Sequence, residues 1–162
     1  YKNPEQTKEV IDHEGWFHTG DLGILSEGKY LKITGRKKSL FKTSMGKYVS
    51  PEHIENRMRE SPFIEQALIL GENQKFVAAI ISPDMQFLKN WCNAEGHGFG
   101  NTLNAVKNPE VKKRFQQEIE LFNKEFNPHE QIIKFELVAD EWTVENGELT
   151  PTLKVKRQFI EI

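Results

Sequence analysis

Cysteine is almost missing from this chain. Cys92 stands alone in 162 residues, which excludes an internal disulfide and any multi-cysteine zinc site. A reducing cytoplasm fits that usage. Long apolar runs are missing too: the longest aliphatic run, Val77 to Ile81, is far short of the ~20 apolar residues a membrane span requires. Neither sign of charge dominates. The 22 Lys and Arg against 24 Asp and Glu leave a net charge of -2, so there is no general attraction to nucleic acid or an anionic membrane. The five histidines, at 13, 18, 53, 97 and 129, are scattered and show no HxxxH or HExxH spacing, which argues against a metal site. An initiator Met and a signal-peptide pattern are absent from Tyr1-Lys2-Asn3-Pro4. The expectation is therefore a piece of a larger protein. Apolar content is low at 37%, with a mean hydropathy of -0.62. Eleven Phe and three Trp offset this, because each aromatic ring buries a large area.

What is present reads as an α+β domain behind a short appendage. A weak helical signal covers Pro4 to Val10. Gly20 and Gly23 punctuate a short strand around Asp21, and residues 25–33 form a hairpin turning at Ser26-Glu27-Gly28-Lys29. The basic, glycine-bearing stretch Arg36 to Pro51 then runs into a helix start. Ser50 is placed to cap it, Pro51 suits the first helical position, and Val49 with Ile54 forms a hydrophobic staple. Ile54 and Met58 give the buried stripe, and Ser61-Pro62 ends the helix. Strands are expected over 64–70 and 76–82, the second apolar on both faces and so central in its sheet. Pro83-Asp84 opens a helix carrying Phe87, Leu88, Trp91 and Cys92 on one face. Residues 109–126 form the longest helix, with Val111, Phe115, Ile119, Phe122 and Phe126 as its core stripe. A last strand alternates Ile133, Phe135 and Leu137 with Lys134 and Glu136, and residues 139–153 read as loop.

Most candidate sites dissolve into ordinary structure. Gly96-His97-Gly98-Phe99-Gly100 lacks the Lys-Ser/Thr of a phosphate loop and does not follow a strand. Cys92, on an apolar helix face, reads as inert core. His18 reads as a structural hydrogen-bonding group. Two residues stay open. Asp21, between glycines at a strand end, suits either a ribose diol or a capped turn. Lys154, in the small and apolar run Leu149-Thr150-Pro151-Thr152-Leu153, suits either an anion or plain solvation.

Four stretches recur in order: Gly15 to Gly23, Gly35-Arg36-Lys37-Lys38, Gly46 to Glu55, and Leu149 to Arg157. Together they closely resemble the C-terminal part of the acyl-adenylate-forming family, which includes acyl-CoA synthetases, peptide-synthetase adenylation domains and firefly luciferase. Arg-Lys-Lys, the helices inserted around 84–126, and Thr-Pro-Thr-Leu-Lys point to the long-chain fatty acid–CoA ligase branch. The resemblance implies a small mobile C-terminal domain with a short sheet covered by helices, preceded by a β-hairpin remnant of the large domain. It divides the chain at residues 1–35 and 36–162.

The resemblance also implies a reaction. A fatty acid carboxylate attacks the α-phosphate of Mg-ATP, and the thiol of CoA then displaces AMP, with the small domain rotating between the steps. Asp21 would bind the ribose hydroxyls, and Arg36 would contact ribose or phosphate. Lys38 matches the hinge, and Gly46 matches the glycine lining the pantetheine tunnel. Lys154 matches the lysine bridging carboxylate and α-phosphate. Leu153 departs from the pattern, since much of the family has glycine there. The phosphate loop, the acyl pocket and the magnesium site (Mg2+) would belong to the N-terminal domain of the same enzyme, so the fragment alone would be inactive. The parent is expected in the cytoplasm, with peripheral membrane association open. The alternatives are an enzyme loading a carrier protein or stopping at acyl-AMP, and a non-catalytic interaction module of the same fold.

Overall fold

The computed structural model describes residues 2–160. Helix α1 (Pro4–Val10) starts at Asn3, whose side chain accepts the Gln6 N–H at 3.1 Å. Strands β1 (Asp21–Ser26) and β2 (Tyr30–Arg36) form an antiparallel hairpin. It buries almost none of its apolar surface: Leu25, Tyr30 and Leu31 are 65%, 65% and 69% exposed.

The basic stretch is more ordered than an open joint. A 3-10 turn over Lys37–Ser39 leads into a two-residue pair, β3 (Phe41–Lys42) with β4 (Tyr48–Val49). This small hairpin is anchored outward, with Asn73 N–H donating to Lys42 O at 2.9 Å and Ser44 N–H to Gln74 O at 3.0 Å. Helix α2 (Pro51–Met58) follows, with Val49, Ile54 and Met58 buried as the staple and stripe require. Ser50 does not cap it. Its hydroxyl donates instead to Thr34 O of β2 at 3.3 Å, so a tertiary acceptor has displaced the local one.

The main sheet has the order β5 (Ile64–Leu70), β6 (Val77–Pro83), β7 (Ile132–Leu137), antiparallel then parallel. The apolar β6 is central, as expected of a strand covered on both faces. Between β6 and β7 run α3 (Met85–Ala94), α4 (Thr102–Lys107) and α5 (Pro109–Asn123). The short α4 has no counterpart in the sequence reading. It is capped by Asn101, whose side chain accepts the Asn104 N–H at 2.8 Å. Leu88 and Cys92 of α3 are buried, as are Val111, Phe115, Ile119 and Phe122 of α5. Helix α5 stops at Asn123 rather than at 126. There the Asn123 amide bonds both the N–H and the C=O of Ile132, each at 2.9 Å, while Phe126 is still buried in the following turn.

Ile133 departs from the expected alternation. Val77 pairs with Ile132 and Ala78 with Lys134, so Ile133 is the extra residue of a bulge and lies exposed. Residues 139–153 are indeed irregular in backbone, yet they are structural. Trp142 and Leu149 pack on Leu68, with Leu70, Ile80 and Val155 around them. The sheet therefore carries helices on one face and the C-terminal segment, ending in the short α6 (Arg157–Ile160), on the other.

Candidate functional site

The C-terminal segment and α2 flank the free edge of β5, and between them lies a cleft of about 650 Å³. Arg36, Lys38, Glu55, Ile69, Lys154 and Arg157 are among the residues that line it. Arg36 ends β2, Lys38 sits in the 3-10 turn after it, and Lys154 comes from a loop more than a hundred residues downstream. Three of the residues singled out in the sequence thus meet at one opening. Their cationic heads suit an anion such as a phosphate or carboxylate.

Asp21 joins the group indirectly. It pairs with Arg36 across the open end of the hairpin, and its Oδ1 lies 3.2 Å from Arg36 Nε. Its N–H donates to Thr19 Oγ1 at 3.1 Å. The two expected nucleotide contacts are thus ion-paired with each other. Gly46 stands apart, in the turn joining β3 to β4, with φ of +78°. A Cβ there would meet only Lys42 Cε, at 3.7 Å. Within this chain glycine is required by backbone conformation rather than by lack of space.

Two residues with a large part in the cleft stand in the sequence only as the ends of motif stretches, with no role assigned. Glu55 of α2 accepts the Ile69 N–H at 2.8 Å and a hydrogen bond from Arg157, while Arg157 also donates to Ile69 O. Burial pushes the Glu55 carboxyl above the usual carboxylate range, partly offset by the Arg157 charge and the Ile69 N–H. The only sequence signal was a carboxylate next to Ile54 in an inward-facing stripe. Its partner, 102 residues away, ends the Leu149 to Arg157 stretch, but nothing local marks the pairing.

His18 and Cys92 take ordinary structural places. His18 Nε2 lies 2.9 Å from Asp12 Oδ2, a structural pair. Cys92 is fully buried, which raises its thiol pKa. Among the described residues, no group of three or more His, Cys, Asp or Glu is placed to hold a metal ion. No helix among them is long and apolar enough to cross a membrane.

Comparison with known proteins gives this arrangement a setting. A family model described as AMP-binding enzyme C-terminal domain matches residues 39–161. A peroxisomal long chain acyl-CoA synthetase 6 of Arabidopsis thaliana is 40% identical over 164 residues, covering 97% of this chain and 23% of that protein. Long-chain-fatty-acid–CoA ligase 1 of Homo sapiens is 38% identical over 160 residues, covering 96% of this chain and 23% of the relative. The chain thus spans about a quarter of the curated relatives it matches. Among solved structures, the adenylation domain of a carboxylate reductase from Mycobacterium chelonae superposes with a TM-score of 0.75. It is 24% identical and covers 99% of this chain and 24% of its own. That likeness speaks to the fold alone.

Proposed function

Because the chain belongs to the AMP-binding enzyme C-terminal domain family, we propose that it is the mobile C-terminal part of an ATP-dependent long-chain fatty acid–CoA ligase. The observation that carries this reading is the convergence of Lys154 with Arg36 and Lys38 on one cleft, while Gly46 lies in a separate turn. A domain that presents one surface to each of two steps needs such a separation. The printed names of the relatives favour CoA as acceptor over a carrier protein.

In this reading Lys154 stands between the fatty acid carboxylate and the α-phosphate of ATP. Its ammonium lowers the repulsion between two anions and the charge that develops as they react, an effect worth ~3–4 kcal/mol. Arg36 and Asp21 hold the ribose and phosphates. Lys38 marks the pivot, within the 3-10 turn. Gly46 serves the second step, in which CoA displaces AMP. Residues 1–35 belong to the large domain, and that domain covers the exposed face of Leu25, Tyr30 and Leu31. Residues 36–162 rotate against it. Five Lys and Arg line the cleft against three Glu, a cationic excess that fits the phosphates of ATP, whereas magnesium would be held by the large domain.

The test is a pair of half-reaction assays on the full-length enzyme. Lys154→Ala should lower fatty-acid-dependent ATP–pyrophosphate exchange by about 10²-fold or more, while sparing thioester formation from supplied acyl-AMP. Equal loss of both would sink the assignment. Offering CoA and a carrier protein to the same enzyme decides the acceptor.

A further inference from the structure

The loop that presents Lys154 is held together by one residue, Thr150. Its N–H donates to Lys154 O at 2.8 Å, and its carbonyl accepts the Leu153 N–H at 2.8 Å. Its hydroxyl accepts the Lys154 N–H at 3.0 Å and lies 3.0 Å from Thr152 Oγ1. Both backbone groups of Lys154 are therefore tied to the same threonine. The stems of the loop are closed by a bridge between Leu149, in the core on the second face of the sheet, and the half-buried Val155 packed against that core.

Leu153 adds a second observation. It sits at φ of +58°, in the left-handed region, while its side chain is largely exposed. Burial of that side chain does not compensate for the strain. A leucine keeps this conformation only where its surroundings over-determine it, and such strain concentrates at functional sites. Here the over-determination comes from Thr150, which bonds the backbone on both sides of the Leu153–Lys154 peptide.

A lysine side chain has four rotatable bonds, so its ammonium is placed no better than its Cα. Clamping the N–H and C=O of Lys154 fixes the direction of its Cα–Cβ bond toward the cleft. We propose that Thr150 is the positioning residue for Lys154, its hydroxyl and amide setting the direction from which the ammonium reaches carboxylate and phosphate. This rests on the reading of Lys154 given above. Thr150 touches no reacting group and acts through the lysine alone.

Two variants of the full-length enzyme test this. Thr150→Val keeps the shape and loses the acceptor, whereas Thr150→Ser keeps the hydroxyl. T150V is expected to lower kcat for ATP–pyrophosphate exchange about tenfold or more. KM for ATP and thioester formation from acyl-AMP should stay within about twofold. T150S should restore exchange to within about threefold of the parent. Unchanged exchange by T150V, an equal fall in both half-reactions, or no restoration by T150S overturns the proposal. Deuterium uptake over residues 149–155 tests the clamp without reference to activity. Faster exchange at Lys154 in T150V but not in T150S is expected, and identical uptake in T150V and the parent overturns it. Lys154→Ala, run alongside, separates the two claims. If that variant keeps full exchange, the role of Lys154 fails, whatever the uptake shows about the clamp.

Discussion

Glu55 and Arg157 meet across 102 residues and together occupy the free edge of β5. Glu55 accepts the Ile69 N–H at 2.8 Å, and Arg157 donates to Ile69 O, so both backbone groups of Ile69 find side-chain partners in place of a further strand. The contact pins the C-terminal segment, and with it the Lys154 loop, to α2 and the sheet. Arg157→Met should leave a carboxylate that is only 12% exposed, together with an Ile69 carbonyl that has lost its donor. The expected loss is about 2–3 kcal/mol, read from the urea midpoint. An unchanged midpoint would mean that water replaces the guanidinium.

The same carboxylate sets a pH dependence. Glu55 has a raised pKa in the folded state, so the folded protein binds its proton more tightly than the unfolded chain does. Its contribution to stability is full below the unfolded value of about 4.5 and declines as pH rises through the folded value. Comparing urea midpoints of the parent and Glu55→Gln upward from about pH 4 checks the sign. The parent should lose ground to E55Q on the way up. Glu125, lowered by the Arg57 hydrogen bond, acts in the opposite sense, with its contribution disappearing as pH falls.

Leu153 is the other strained position within reach of a simple test. At φ of +58° and 59% exposed, it gives up little burial if replaced by glycine. Relief of roughly 1–2 kcal/mol of backbone strain outweighs about 0.5–1 kcal/mol of unfolded-state entropy. Leu153→Gly should raise stability by about 0.5 kcal/mol. A loss of more than about 1 kcal/mol in a urea titration would contradict the strain argument.

Gly35 touches the start of α2 across the proposed pivot. A Cβ on Gly35 would lie 2.6 Å from Ser50 Oγ, closer than side chains tolerate. Gly35→Ala should cost about 1–2 kcal/mol from this contact, on top of the strain of a side chain at φ of +156°, and Ser50→Ala should relieve only the contact part. A double-mutant cycle is expected to show coupling near 1 kcal/mol, whereas strict additivity would place the cost elsewhere.

Gly46 tests the second surface. Gly46→Leu in the full-length enzyme should slow thioester formation about tenfold or more while ATP–pyrophosphate exchange persists. Gly46→Ala carries the same strain at φ of +78° with little bulk, and it should fall much less. Equal defects in the two variants would assign the effect to backbone strain.

The regular elements were largely legible because their signals are short-range. The staple of Val49 and Ile54, the stripe Val111, Phe115, Ile119 and Phe122, and the two-faced β6 all follow from spacing and composition. Where local and tertiary partners competed, the reading failed. Ser50 abandoned its helix for Thr34, and a bulge turned Ile133 outward. Asn101 capped the unread α4, and the loop after Val138 supplied Trp142 and Leu149 as the cover of a sheet face.

The sequence by itself determined the α+β class, the order of the elements and the identity of Asp21, Arg36, Lys38, Gly46 and Lys154 as candidates. The class and the order follow from periodicity, Asp21 and Lys154 from their local setting, and Arg36, Lys38 and Gly46 only from the family resemblance that short motifs carry. Only the tertiary structure decided that the basic stretch beginning at Arg36 shares a cleft with Lys154, that Asp21 is paired to Arg36, and that Glu55 and Arg157 hold the edge of β5. Partners so distant in sequence leave no local trace. Which acceptor a hydroxyl or guanidinium takes is settled by which one the folded chain brings within hydrogen-bond distance.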